Sequence, residues 1–259
     1  MDRSLKWTQR QWDVWGKKDP LFAVLSLDDK RRGRWDPDEF FETGRSEIRE
    51  LLERIGSLPI GLSRRVALDF GCGVGRLTQA LSEYYDLTIG VDIAPSMIEL
   101  ANSYNKQGDR CRYDLNKTSD LRQYRDGMFD LIYSNIVLQH VPSRLSRQYV
   151  AEFVRILSPG GVAVFHCPSQ PEPGRVTTRS QARRVVKEGV RFAANTSARA
   201  LRRSIPYPKM LMSGIPRDDV FRIVSEAGGD VLVAQLTPWG ATGWIAYTYY
   251  VTKAGLMAG

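Results

Sequence analysis

Five residues, Val66-Ala-Leu-Asp-Phe70, and the glycines at 71, 73 and 75 that follow them restrict the fold of this chain more than any other feature. The five read as a buried strand. Glycine then allows a tight turn through positive φ and lets the backbone approach a ligand closely. Leu77, Ala80 and Leu81 recur at helical spacing immediately afterwards. A strand, a glycine-rich turn and a helix in that order open a βαβ unit, and such units build parallel sheets.

The alternation continues. Residues 87–92, 111–114, 129–134 and 162–166 read as further strands. Helical patterns follow at Met97, Ile98, Leu100 and Ala101, and again over 148–157 with Ala151, Val154 and Ile156. Ser158-Pro-Gly-Gly161 reads as a turn. Residues 218–227 form another helical stretch, and 231–236 with 244–251 a closing antiparallel pair. Ligands of such sheets lie at the carboxyl ends of the strands.

Residues 1–63 precede this rhythm and read as a helical cap. Trp7, Trp12, Trp15 and Trp35 are four of the six tryptophans, an aromatic density that needs a surface to pack on. Trp35, Phe40, Phe41 and Gly44 are placed to close over the ligand, with Trp239 and Trp244 at its rim. The second unit is then 64–259, interrupted by a basic helical insertion over about 168–208. Residues 171–203 hold nine basic and two acidic residues, a net +7 of the chain's formal +8. The rest is near neutral, which disfavours a nucleic-acid partner. The arginines suit an anionic acceptor or a peripheral contact with a membrane surface. Cys72, Cys111 and Cys167 have neither disulfide nor metal-ligand spacing, so no metal is expected. A start without an apolar leader and three isolated cysteines suggest the cytoplasm.

The glycine spacing leaves two kinds of adenosine cofactor open. A dinucleotide fingerprint is G-x-G-x-x-G, whereas this chain has G-x-G-x-G with Arg76 at the next position. Asp69, two residues before the first glycine, would repel a pyrophosphate but accept a hydrogen bond from a ligand ammonium. The stretch 67–78 resembles motif I of the class I S-adenosylmethionine-dependent methyltransferases. Gly90-Val-Asp-Ile-Ala-Pro-Ser-Met97, Arg112-Tyr-Asp-Leu115, 129–141 and Leu157-Ser-Pro-Gly-Gly161 resemble the later motifs in order. The resemblance spans 64–170 and the closing hairpin. It implies a Rossmann-like α/β fold: a seven-stranded mixed sheet of order 3-2-1-4-5-7-6 with helices on both faces.

The resemblance also implies a cofactor, S-adenosyl-L-methionine, and residues to hold it. Asp69 would take the ammonium, Asp92 the ribose hydroxyls, and Asp114 with Leu115 the adenine, with Asn116 as the alternative to Asp114. Phe70, Gly71, Gly73, Gly75, Ile93, Met97, Asn135 and Ile136 would line the site. Arg76 would meet the methionine carboxylate or point to solvent, and Asp130, at the start of its strand, would be structural. The only two histidines, His140 and His166, fall just past the fourth and fifth strands. Either is a candidate general base for an acceptor hydroxyl. The reading is O-methylation of a small molecule or of a glycan or lipid precursor. N-methylation of a small amine or RNA, and cofactor binding without turnover, are the alternatives.

Overall fold

The computed structural model describes residues 3–173, 207–208, 210–237 and 243–253. The basic segment over 174–206 and Trp239 lie outside the described residues, and so do the readings placed on them.

Three helices begin the chain: α1 (Arg3–Lys18), α2 (Pro20–Val24) and α3 (Pro37–Gly56). Pro37 opens α3 where its missing N–H is harmless. Asp36 caps that helix, its side chain accepting the Glu39 N–H at 3.0 Å. The sheet strands are β1 (Val66–Phe70), β2 (Leu87–Asp92), β3 (Cys111–Leu115), β4 (Phe129–Ser134), β5 (Leu157–Pro171), β6 (Gly229–Leu236) and β7 (Trp244–Lys253). Between them run α4 (Arg76–Leu81), α5 (Pro95–Tyr104), α6 (Ser143–Ile156) and α7 (Arg217–Glu226). The seven strands lie in the order β3-β2-β1-β4-β5-β7-β6. β1 to β5 are parallel, and β7 runs antiparallel between β5 and β6.

Successive strand residues serve opposite faces, which is why the strands read as unbroken apolar runs. Leu68, Phe70, Ile132, Ala163 and Phe165 pack under α6 and α7. Ala67, Leu131, Tyr133, Val162 and Val164 pack under α3 and α4. Both layers are closed to water, each large apolar side chain contributing roughly 1.5–3 kcal/mol by its burial.

Two elements exceed the expectation. α6 starts at Ser143, five residues early, because Leu145, Tyr149, Val150 and Phe153 complete the apolar face that periodicity revealed only in part. β5 runs from Leu157 to Pro171 rather than over 162–166. Leu157 pairs with Phe129 across the expected turn, and β7 pairs with β5 as far as Pro171, opposite Trp244. The register shift between Pro168 and Gln170 accommodates prolines that donate no ladder bond.

The N-terminal helices are fastened to the sheet domain by specific bonds. The Asp13 carboxylate of α1 accepts the Ser96 N–H at 3.0 Å and so caps α5, whose own preceding residue, Ala94, has no capping side chain. The Gln9 side chain donates to the Ile93 carbonyl at 3.0 Å. On α3, a Cβ at Gly44 would stand 2.6 Å from the Arg76 carbonyl oxygen, so only glycine lets α3 and α4 approach this closely. Asp130 ties together the amino ends of the neighbouring strands β1, β4 and β5. It is buried and accepts the Arg65 and Val66 N–H groups at 2.9 and 3.2 Å and the Ser158 hydroxyl at 3.0 Å.

Candidate active site

A cavity of about 1000 Å³, counting its open mouth, lies at the carboxyl ends of β1, β2 and β4. The loop after β1 turns through three left-handed glycines, Gly71, Gly73 and Gly75, with φ of 79°, 54° and 86°, and the first two line the cavity. Close packing requires glycine there as well. A Cβ at Gly71 or Gly73 would lie 2.4 Å from Val137 or Val24, respectively.

Two acids, the half-buried Asp92 and the buried Asp69, flank the loop. Asp92 accepts the Gly73 N–H at 3.0 Å on one oxygen and the Ala94 N–H at 2.8 Å on the other. Its carboxylate is thereby fixed in orientation, and each oxygen keeps a lone pair for a ligand. Burial raises its pKa, against those backbone bonds. Asp69 is 2% exposed and accepts the Thr78 hydroxyl at 2.7 Å. Burial pushes its carboxyl up to about 7, against the Thr78 bond and the Arg76 charge.

Arg76 is only 3% exposed. Its guanidinium donates to Glu47 at 2.7 Å and to Thr43 at 3.2 Å, while its buried Nε has no hydrogen-bond partner among the described residues. Glu47 also accepts from the Tyr133 hydroxyl at 2.8 Å and the Asn135 amide at 2.7 Å. One carboxylate of α3 thus gathers the rim at the start of α4 and the end of β4. The next residue, Ile136, has φ of 60°. A β-branched residue in the left-handed region holds roughly 1–3 kcal/mol of strain, a feature typical of ligand-binding loops.

Ten of the thirteen residues expected at the cofactor line this cavity: Asp69, Phe70, Gly71, Gly73, Arg76, Asp92, Ile93, Met97, Asn135 and Ile136. Gly75, Asp114 and Leu115 do not. Gly75 faces the Tyr113 hydroxyl instead. The Asp114 carboxylate is held by Arg112 at 3.2 Å and by the Tyr124 hydroxyl at 3.1 Å. The alternative, Asn116, is 3% exposed and does line the cavity.

The lid differs from expectation too. Trp35, Phe40 and Phe41 are buried beside Val74, Ala94 and Met97 and do not reach the cavity, nor does Gly44, packed on Arg76, or Trp244, paired with Pro171. Its roof is Leu5, Thr8 and Trp12 of α1 with Ala23 and Val24 of α2. The apolar periodicity of α1 was the available signal, but it does not say which ligand edge the helix crosses.

The histidines separate. His166 lies inside β5, opposite Thr248, 1% exposed and outside the cavity lining. Its expected position past the strand fails because β5 extends to Pro171. Burial, with His140 nearby, lowers its pKa to about 4. His140 sits in the turn after β4 and lines a smaller cleft with Trp12 and Thr8, which also line the main cavity. Its Nδ1 lies 2.8 Å from the Leu211 carbonyl oxygen, and the Trp12 ring is 5.3 Å away. A carbonyl only accepts, so Nδ1 carries the proton and Nε2 the lone pair. Burial lowers its pKa, which keeps the ring neutral at pH 7.

The acids, the unpartnered cationic Nε and the apolar walls together suit a ligand with hydroxyls, an ammonium, a carboxylate and a flat base. One prediction follows from Asp69. Below about pH 7 its carboxyl is protonated, and a cationic ligand prefers the ionised form. Affinity for S-adenosylhomocysteine is therefore expected to climb by up to about tenfold per pH unit from about pH 5.5 and to level near about pH 7. Calorimetric titrations across that range check this, with Asp69→Asn expected to bind more weakly and to flatten the profile.

Residues 68–165 match the methyltransferase domain family. The ubiquinone biosynthesis O-methyltransferase of Methylococcus capsulatus is 30% identical over 132 residues, covering 51% of this chain and 54% of that protein. The trans-aconitate 2-methyltransferase of Streptomyces avermitilis is 30% identical over 143 residues, covering 52% and 51%. The chain thus spans about half the length of these curated relatives. Among solved structures, the Synechocystis magnesium protoporphyrin IX methyltransferase with bound S-adenosylhomocysteine aligns over 97% of this chain and all of that one, at a TM-score of 0.59 and 15% identity. Phosphoethanolamine N-methyltransferase 1 of Haemonchus contortus aligns over 97% and 49%, at 0.61 and 17%. These two likenesses concern the fold, and its strand order is the one seen here. Residues 68–165, from β1 through the core of β5, thus match a methyltransferase domain, set in a seven-stranded sheet of order β3-β2-β1-β4-β5-β7-β6.

Proposed function

We propose that this protein transfers the methyl group of S-adenosylmethionine to a hydroxyl of a small acceptor. The observation that carries this is the junction of two spaces. The cavity holding the glycine loop, Asp69 and Asp92 shares Thr8 and Trp12 with the cleft of His140.

In this reading Asp92 takes the ribose hydroxyls, Asp69 the ammonium and Arg76 Nε the carboxylate. Asn116 replaces Asp114 at the adenine, because Asn116 lines the cavity and Asp114 does not. S-adenosylmethionine supplies, when bound, a methyl group activated on a sulfonium. The protein's part is alignment and proton removal. The acceptor's hydroxyl proton passes to His140 Nε2, and the imidazolium, disfavoured by burial, releases it to solvent.

One relative is an O-methyltransferase by name, which favours oxygen as the methylated atom. The basic charge of 171–203 favours an anionic acceptor. Among the described residues no helix is long and apolar enough to cross a membrane. Cys72, Cys111 and Cys167 are free thiols, which suits the cytoplasm. The test is transfer of an isotopically labelled methyl group to a panel of phenols, aliphatic alcohols and hydroxy acids, with amines alongside. Label on a hydroxyl is the expected outcome. Label on amines alone would replace this reading with N-methylation. Cofactor binding without any transfer would leave a binding protein.

A further inference from the structure

The side chain beside His140 is unusual in its bonding. Gln139 is 3% exposed, and its amide nitrogen lies 3.0 Å from His140 Nε2. The Leu211 carbonyl fixes the proton on Nδ1, so neutral Nε2 only accepts, and the Gln139 NH₂ is the donor. The other half of that amide, the buried Oε1, has no hydrogen-bond partner among the described residues. A buried acceptor left in this state needs an explanation. The turn itself is pinned. The Ser213 N–H donates to the Gln139 carbonyl at 2.8 Å, the Ser213 hydroxyl bonds the Val141 carbonyl, and Ser146 bonds the Leu138 and Val141 carbonyls at 3.2 Å. The backbone is held from several sides while the Gln139 side chain spends one donor on His140 and leaves its acceptor unused.

We propose that Gln139 is a positioning residue for His140, its amide N–H holding the Nε2 lone pair until the hydroxyl of a methyl acceptor takes that place. The amide marks the direction from which the proton arrives. The acceptor class follows from the same bond. Only a molecule that presents a donor hydrogen on the atom to be methylated replaces the amide without leaving Nε2 unsatisfied. The displaced Gln139 side chain then turns, and its Oε1 becomes available to the acceptor's other donors. No covalent step is added to the reaction above. This inference rests on His140 being the proton acceptor.

The surroundings make His140 readable. Trp12 and Gln11 from α1, and Met210 and Leu211 from the segment crossing the turn, are uncharged. Among the described residues, His166 of β5 is a titratable neighbour that senses His140. The chain has only these two histidines, so a His140→Ala spectrum assigns both.

The experiment is ¹⁵N nuclear magnetic resonance of the full chain labelled in its imidazoles, titrated with acid, without acceptor. The wild type is expected to show His140 protonated on Nδ1, with a midpoint below the ordinary value of about 6.5. Gln139→Glu puts a carboxylate against Nε2. It is expected to raise that midpoint by about one pH unit or more and to place a proton on Nε2 at neutral pH. Gln139→Leu, similar in volume, is expected to move the Nε2 resonance to that of an unbonded ring nitrogen. A His140 midpoint unchanged in a folded Gln139→Glu, or a wild-type ring protonated on Nε2, would overturn the proposal. If Gln139→Glu does not fold, the wild-type proton position and the Gln139→Leu resonance still decide. A role confined to packing, with no bond to the ring, would alter the melting temperature and leave these resonances in place. The outcome is separable from the proposed function. Altered resonances together with full turnover in His140→Ala would keep the Gln139–His140 coupling and remove His140 as the base.

Discussion

Asp92→Ala is expected to weaken S-adenosylhomocysteine binding by about 10²-fold or more. The wild-type carboxylate stands ready for two ligand hydroxyls, and a hydrogen bond to a charged group contributes roughly 1.5–3 kcal/mol. Two of them, at about 1.4 kcal/mol per factor of ten, set that scale. The substitution also leaves the Gly73 and Ala94 N–H groups without their acceptor, so the loop loses its template along with the ligand contact. Calorimetric titration measures this directly. Asp114→Ala is the internal control. Its carboxylate is spent on Arg112 and Tyr124 away from the cavity, so affinity is expected to change by less than about threefold, within the range of an ordinary surface substitution. Equal losses in the two variants would refute the assignment of Asp92 as the ribose acid.

His140→Ala is expected to lower kcat by about 10²-fold or more, the scale of general base catalysis, while cofactor affinity barely changes. The split between the two readouts matters. His140 does not line the main cavity but meets it through Thr8 and Trp12, so its loss should affect the transfer step and leave cofactor binding alone. His166→Ala is the matched control. It removes a side chain 1% exposed inside β5, which should lower stability by about 1–3 kcal/mol with kcat within about threefold of wild type. A wild-type kcat in His140→Ala would make the residue a clamp for the Leu211 segment and nothing more.

The two histidines also illustrate how far sequence reasoning reaches. Each follows an apolar run, and that pattern alone places each at the acceptor edge. For His140 the run ends at Ser134, and the turn after it does reach the cleft. For His166 the run does not end, because β7 supplies a partner more than seventy residues further along the chain as far as Pro171. A strand's length depends on its neighbour as much as on its own composition. The same limit applies to Asp114. Its place at the end of β3 was legible, but Tyr124, from the connection to β4, takes one of its oxygens and leaves Asn116 at the cavity.

What the sequence alone determined was local. Glycines at 71, 73 and 75 after an apolar strand impose left-handed turns that few other residues tolerate, and so placed a ligand loop between β1 and α4. Apolar periods of two and of 3.6 residues separated strands from helices, and their alternation dictated a parallel sheet. Which side chains, distant in the chain, share one space follows from packing in three dimensions. α1 roofs the cavity where Trp35 and Phe40 were expected. Glu47 of α3 gathers Arg76, Tyr133 and Asn135, and Leu211 selects the His140 tautomer. Those contacts arise from helix packing and from chain returning across the sheet. Packing direction and hydrogen-bond partners are properties of three-dimensional neighbours, and no spacing along a single chain encodes them.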